Sequence, residues 1–169
     1  MESKKEFNPF DAIVELINRR IKHEKDLPRV FMSITELEQA LNLLYILHAI
    51  RLKETKIVEW AINLLSEISD KLRALRFAGL IDNETYNNLK ILFNIRNTFA
   101  HEGPNSVKFD LMLNKLEDIS INNHYPSLKR RKNNAKKFEI ISYFYFSIIL
   151  KYIEKNYKAE LSQYNIKRP

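Results

Sequence analysis

The sequence predicts an all-α, single-domain bundle of five to six helices, and three observations carry that reading. Apolar residues return every three or four positions through most of the chain, the spacing of one buried helix face. No apolar–polar alternation of period two lasts long enough to build a sheet. Glycine occurs only twice in 169 residues, whereas hairpins, doubly wound sheets and phosphate loops lean on glycine at positive φ. With 45% hydrophobic residues the chain is too apolar for intrinsic disorder. Its length suits one domain over 1–169, able to bury roughly 70% of the unfolded surface.

The elements follow from local punctuation. Asn8-Pro9 places an N-cap before a proline at the first helical position, and Phe10, Ile13, Val14, Ile17 and Ile21 continue a helix over about 9–24. A second helix starts at Pro28 with the stripe Phe31, Ile34, Leu37, Leu41, Leu44, Tyr45 and His48. A third is expected over 56–78, on Val58, Ala61, Ile62, Leu65, Ile68, Leu72, Leu75 and Phe77, and Gly79 supplies a left-handed stop. Asp82 caps a fourth, carrying Tyr86, Leu89, Leu92, Phe93, Ile95, Phe99 and Ala100 and ended by Gly103-Pro104. Asp110 is expected to cap a short helix through Glu117, followed by a polar, basic connection over about 122–133. The last long helix spans about 133–160. Its segment Ile140–Leu150 is apolar nearly all round, so it should lie at the centre of the bundle, and a second copy of the chain could complete its cover. A homodimer is expected on that ground.

Several chemistries are excluded or disfavoured. The absence of cysteine removes disulfide frameworks, iron–sulfur clusters and cysteine-based zinc or catalytic sites. His23, His48 and His124 pair at no metal-ligand spacing, and Glu36 and Glu38 do not share a helix face. No metal and no cofactor is therefore expected. Ser33, Ser66 and Ser142 lack a nucleophile elbow, and Trp60 with Tyr143, Phe144, Tyr145 and Phe146 reads as core or interface. The eleven charge-free residues from Ile140 are too few to cross a bilayer, and no secretory leader is visible. A cytoplasmic, non-membrane protein is the expectation.

One constellation could carry chemistry. Arg96, Asn97 and His101 close the fourth helix within about 7.5 Å of axial rise. Asn97 and His101 share a face, whereas Arg96 and His101 stand about 140° apart on an ideal helix. Arginine can hold a phosphodiester in bidentate fashion and histidine can exchange protons near neutral pH, so the set could cleave RNA without metal. The competing reading is structural, because cations at a helix C-terminus complement the dipole and its unpaired carbonyls.

A second signal is charge. The chain carries a net +7, and Lys129, Arg130, Arg131, Lys132, Lys136 and Lys137 supply six positive charges in nine residues with no acid among them. Cations at the start of a helix oppose its dipole, so they are not there to stabilise it. They could bind the phosphates of RNA or DNA with a strongly salt-dependent affinity, with Tyr125 nearby to stack on a base, or form a solvated loop. Arg19, Arg20 and Lys22 make a weaker patch.

The run Leu72-Arg73-Ala74-Leu75-Arg76-Phe77-Ala78-Gly79-Leu80-Ile81-Asp82, with Tyr86, Leu89 and then Ile95-Arg96-Asn97-Thr98-Phe99-Ala100-His101, resembles the mannitol operon repressor (MltR-like) family. That family has a helix ending in Gly-Leu-Ile, then one ending in Arg-Asn-x-Phe-Ala-His. Upstream, Leu37-Glu38-Gln39-Ala40-Leu41 and Leu44 are similar to its Leu-Glu-x-Ala-Leu helix, so the resemblance spans about 28–155. The Arg-x4-His spacing also resembles the HEPN domains, helical bundles that often dimerise. The resemblance implies a regulatory helical protein acting through a protein or nucleic-acid partner. It implies, alternatively, a metal-independent endoribonuclease using Arg96 and His101. The basic stretch before the last helix departs from the MltR-like pattern.

Overall fold

The computed structural model describes residues 27–53, 67–103, 106–130 and 133–163. All regular structure among them is helical. The expected helix over 9–24, with Arg19, Arg20, Lys22 and His23, lies outside the described residues, as does the 56–66 part of the expected third helix.

Helix α1 runs Leu27–Arg51. Ile34, Leu37, Ala40, Leu41, Leu44 and Leu47 are buried at the three–four spacing of one face, so the periodicity becomes the first wall of the core. Truncating any of the leucines to alanine costs about 2–5 kcal/mol. Tyr45 and His48, also placed on the stripe by spacing, sit at its half-buried edge.

Helix α2 is short, Ile68–Phe77. The expectation of helix up to this point is corrected at Glu67, whose backbone is extended (φ −47°, ψ 141°). Leu72 and Leu75 are buried, but Phe77 is 84% exposed. Two residues past Leu75 is about 200° around the helix, which turns Phe77 away from the core. Gly79, at φ +69°, then closes α2 with a Schellman motif: the Leu80 amide donates to the Leu75 carbonyl at 2.9 Å and the Gly79 amide to that of Arg76 at 3.0 Å.

Helix α3 spans Asn83–Glu102, with the Asp82 carboxylate accepting from the Thr85 amide at 2.7 Å. It stops at Gly103, whose φ of 79° and ψ of 172° fall in a region open essentially to glycine alone. Helix α4 covers Val107–Asn114 and tightens into a 3-10 turn, Lys115–Asp118. Its cap is Ser106, not Asp110: the Ser106 hydroxyl accepts from the Phe109 amide at 3.1 Å, and Asp110 falls inside the first turn.

The expected polar connection proves to be packed. It forms two single turns, α5 (Ile121–His124) and α6 (Pro126–Lys129), pinned by buried Ile119, Ile121 and Leu128. Buried Asn122 donates to the carbonyls of Leu116 at 2.6 Å and Ile119 at 2.9 Å.

The expected single helix over 133–160 is two. Helix α7 runs Asn134–Asn156, capped by the Asn133 carboxamide on the Lys136 amide at 3.0 Å. It breaks at Tyr157, and α8 follows over Lys158–Gln163. α7 packs most extensively on α1 and also touches α3, α4 and α8. Ile140, Ile141, Tyr145, Ile149 and Ile153 are buried, and one apolar cluster joins them to α1, α2, α3 and α4. Its cover is not complete, since Ile148 remains 44% exposed. The Tyr145 ring sits edge-on to Phe144 with centroids 5.5 Å apart. Its hydroxyl accepts from Asn88 of α3 at 2.7 Å, and burial pushes its pKa up to about 12. Ser142 is fully buried on this helix, far from solvent.

At one end of the bundle the C-termini of α1 and α7 meet. Arg51 pairs with Glu160 of α8 at 2.5 Å and lies 3.9 Å over the Tyr157 ring, and the Tyr157 hydroxyl is 3.1 Å from His48 Nδ1. Among the described residues no helix is long and apolar enough to cross a membrane.

Candidate functional site

The end of α3 presents its polar residues on two different sides of the helix, and packing decides which. Leu89, Leu92 and Ile95 must face the core, where all three are completely buried. That rotation puts Arg96 at the margin facing α1. Its guanidinium lies 3.8 Å from the Glu38 carboxylate and donates to the Asn97 carboxamide at 3.0 Å. The pair with Glu38 is partly exposed, 38% and 29% for the two side chains, so it adds about 1 kcal/mol at most.

Asn97, the acceptor of the Arg96 bond, and His101 turn toward α4. With Asn94, Thr98 and Glu102 of α3 they line an open groove of about 660 Å³, whose facing wall is Lys108, Leu111 and Met112 of α4 with Lys115. The turn at Gly103 makes this groove by folding α4 back beside α3, where Phe109 packs edge-on to Phe99 with centroids 5.0 Å apart. His101 is exposed. Lys108 pairs with Glu102 at 2.7 Å across the mouth.

The trio singled out by spacing is therefore divided. Asn97 and His101 share the groove, as their four-residue separation requires, whereas Arg96 is engaged by Glu38. Lys108 and Lys115 were missed, since nothing local in the sequence says that α4 returns alongside α3. Asn94 was legible: three positions before Asn97 is the same helix face.

A smaller depression of about 100 Å³ lies on the α2 side of the same helix face, lined among others by Arg73, Tyr86, Lys90, Asn94 and Asn97. Arg73 pairs with Asp70 at 3.2 Å, and the Arg76 guanidinium stands 5.0 Å from the Tyr86 ring centroid.

The basic segment is also sorted by the fold. Arg130 is exposed at the end of α6, and Lys136 is half-buried in the first turn of α7. Arg131 and Lys132 lie outside the described residues; Lys129 closes α6. Lys137 does not join them. It has no exposed surface, and its ammonium donates to Glu117 at 2.5 Å. One position after Lys136 on a helix is a 100° turn, enough to carry the side chain from the rim into the core. Tyr125 is half-buried, its ring edge-on to Phe144 at 5.9 Å. Among the described residues no three His, Asp or Glu side chains gather where they could hold a metal ion.

No family model, curated protein or solved structure matches the chain. What the site can do is therefore read from its geometry.

Proposed function

We propose that the protein is a regulatory, non-catalytic binding module that holds nucleic acid by its phosphate backbone, chiefly through the basic segment. The observation that carries this is the concentration of charge. In the sequence Lys129, Arg130, Arg131, Lys132 and Lys136 put five positive charges within eight residues, even without Lys137, which pairs with Glu117, against a net charge of +7 for the whole chain. Arg130 meets solvent, and no acid lies within the segment to neutralise it. Such a basic segment suits a polyanion more than a neutral protein surface. The MltR-like resemblance favours regulation of this kind, and a second copy would double the charged surface.

Cleavage is the less favoured function because Arg96 is not among the residues that line the groove holding His101. A phosphate bound beside His101 would have Lys108 and Lys115 on the groove wall, while Arg96 stands at the margin beside Glu38. His101 then contacts the bound strand and does not cut it.

The test is fluorescence anisotropy of labelled RNA and DNA over a range of salt, in excess EDTA, with the probe checked on a gel afterwards. Wild type should bind tightly at low salt and leave the probe intact. Replacing Lys129, Arg130, Arg131 and Lys132 by serine should flatten the slope of log affinity against log salt by up to about 3, from roughly 0.7 per phosphate contact on a single strand. Absence of binding at low salt would overturn the reading. So would EDTA-resistant cleavage that disappears in His101→Ala.

A further inference from the structure

We infer that α3 carries a track for single-stranded nucleic acid, formed by Lys90, Asn94, Asn97 and His101 and distinct from the basic segment. The inference rests on the nucleic-acid function proposed above and narrows it to a strand class and a place.

The four positions are separated by four, three and four residues. On an ideal helix they fall within about 60° of one another and extend over about 16 Å of axis. They form one continuous polar line. The line also joins the two depressions beside α3: Asn94 and Asn97 line both, His101 lies in the larger and Lys90 in the smaller. One extended chain could thus run from one recess to the other without leaving the helix.

The chemistry along that line suits a strand with free bases. Both recesses carry cations, Arg73 with Lys90 in the smaller and Lys108 with Lys115 in the larger. Neither Lys90 nor Lys115 has an ion-pair partner among the described residues, so both can receive phosphates. The pairs Arg73–Asp70 and Lys108–Glu102 are solvent-exposed and weak enough to yield to a competing anion. Between the cations sit two carboxamides, each offering donors and an acceptor to a base edge. Leu111 is 60% exposed beside them and supplies an apolar seat for a base face. Tyr86, one turn before Lys90 and half-buried, adds a ring already flanked by Arg76, the combination that stacks on unpaired bases. A duplex gains little here. Its bases are stacked and, in A-form, their major-groove edges are out of side-chain reach, so it would meet the lysines alone. An acidic peptide could use the lysines too, but has no flat face for the tyrosine and leucine.

The experiment is anisotropy with the full chain at one low salt concentration, comparing a short RNA strand, the duplex of the same length and an acidic peptide. Wild type should take the single strand at least tenfold more tightly than either competitor. Asn94→Ala with Asn97→Ala should remove that preference, bringing the single strand down to the duplex level. Since Asn97 also accepts from Arg96, Lys90→Ala, at an exposed position, serves as the second variant and should lower single-strand affinity about threefold or more. Equal affinity for strand and duplex, an advantage for the peptide, or a preference unchanged in both variants would overturn the track. Should wild type bind duplex and strand alike, with the serine variant of the basic segment losing both, the nucleic-acid function stands and the track falls. If wild type binds neither, both fall together.

Discussion

Lys137 shows how burial can invert the reading of a charged residue, and the consequence is measurable. Its side chain has no exposed surface, while its partner Glu117 is 47% exposed, so the ammonium is inside and the carboxylate at the rim. Deleting one member of a fully buried pair costs about 3–5 kcal/mol, most of it for stranding the other charge. Here water reaches the carboxylate and weakens the attraction, which places the cost of Glu117→Gln at about 2–3 kcal/mol. For a chain of this length that is a fall in Tm of roughly 5–10 °C. Lys137→Met should behave oppositely. It keeps an unbranched stem in the same space and removes the buried charge, so stability should stay within about 1 kcal/mol of wild type. In the double variant, Glu117→Gln should then cost about 0.5 kcal/mol or less, because no charge is left to strand. Urea unfolding followed by far-UV circular dichroism reads all four proteins, provided the m values agree. If Lys137→Met is as damaging as Glu117→Gln, or if Glu117→Gln costs the same in both backgrounds, the buried-charge argument is refuted.

Two further predictions concern the backbone and the C-terminal contact. At Gly79 an added Cβ meets nothing within 4 Å, so Gly79→Ala should cost about 1–2 kcal/mol for the left-handed backbone alone. Gly103→Ala, forced into a region essentially closed to other residues, should lose more, up to about 3 kcal/mol; the reverse order in thermal melts would contradict this. At the junction of α1 and α8, a hydrogen bond from Arg51 holds the Glu160 carboxyl below its usual range, and burial, aided by Arg51, lowers His48. Both groups bind more protons when unfolded. The contact should therefore be fully stable above about pH 6.5, weaken as His48 titrates below it, and weaken again below about pH 4.3 as Glu160 is protonated. Protection of α8 amides from hydrogen exchange should follow those two steps. Glu160→Gln should abolish the lower one, and a protection factor flat across the range would count against the linkage.

Much of the helix framework was legible because its signals are local. Asp82 caps the helix it precedes, the last long helix starts near 133 as expected, Gly79 stops α2, and Ile34, Leu37, Leu41 and Leu44 bury the face that their spacing defines. The misreadings share a cause. The short helix is capped by Ser106 and not by the expected Asp110, and the helix expected over 133–160 breaks at Tyr157; in both places tertiary contacts choose between sites a few residues apart. Phe77, assigned to the apolar stripe of the expected third helix, points outward because its angle around α2 differs from that of Leu75 by about 200°. The segment around 122 reads as a polar connection because its asparagines and basic residues hide Ile121 and Leu128, which anchor it.

Local residues were enough to set the helical class, the helix start at Asp82 and stop at Gly79, an approximate start near 133, and the shared face of Asn97 and His101. Each depends on residues within one or two turns, where backbone hydrogen bonding and the 3.6-residue period leave little choice. Tertiary structure alone decided that Arg96 turns to Glu38 while His101 faces Lys108 and Lys115, and that Lys137 leaves the basic segment for Glu117. Those partners come from separate helices. Which of them meet depends on how the apolar faces of α1, α3, α4 and α7 settle against each other.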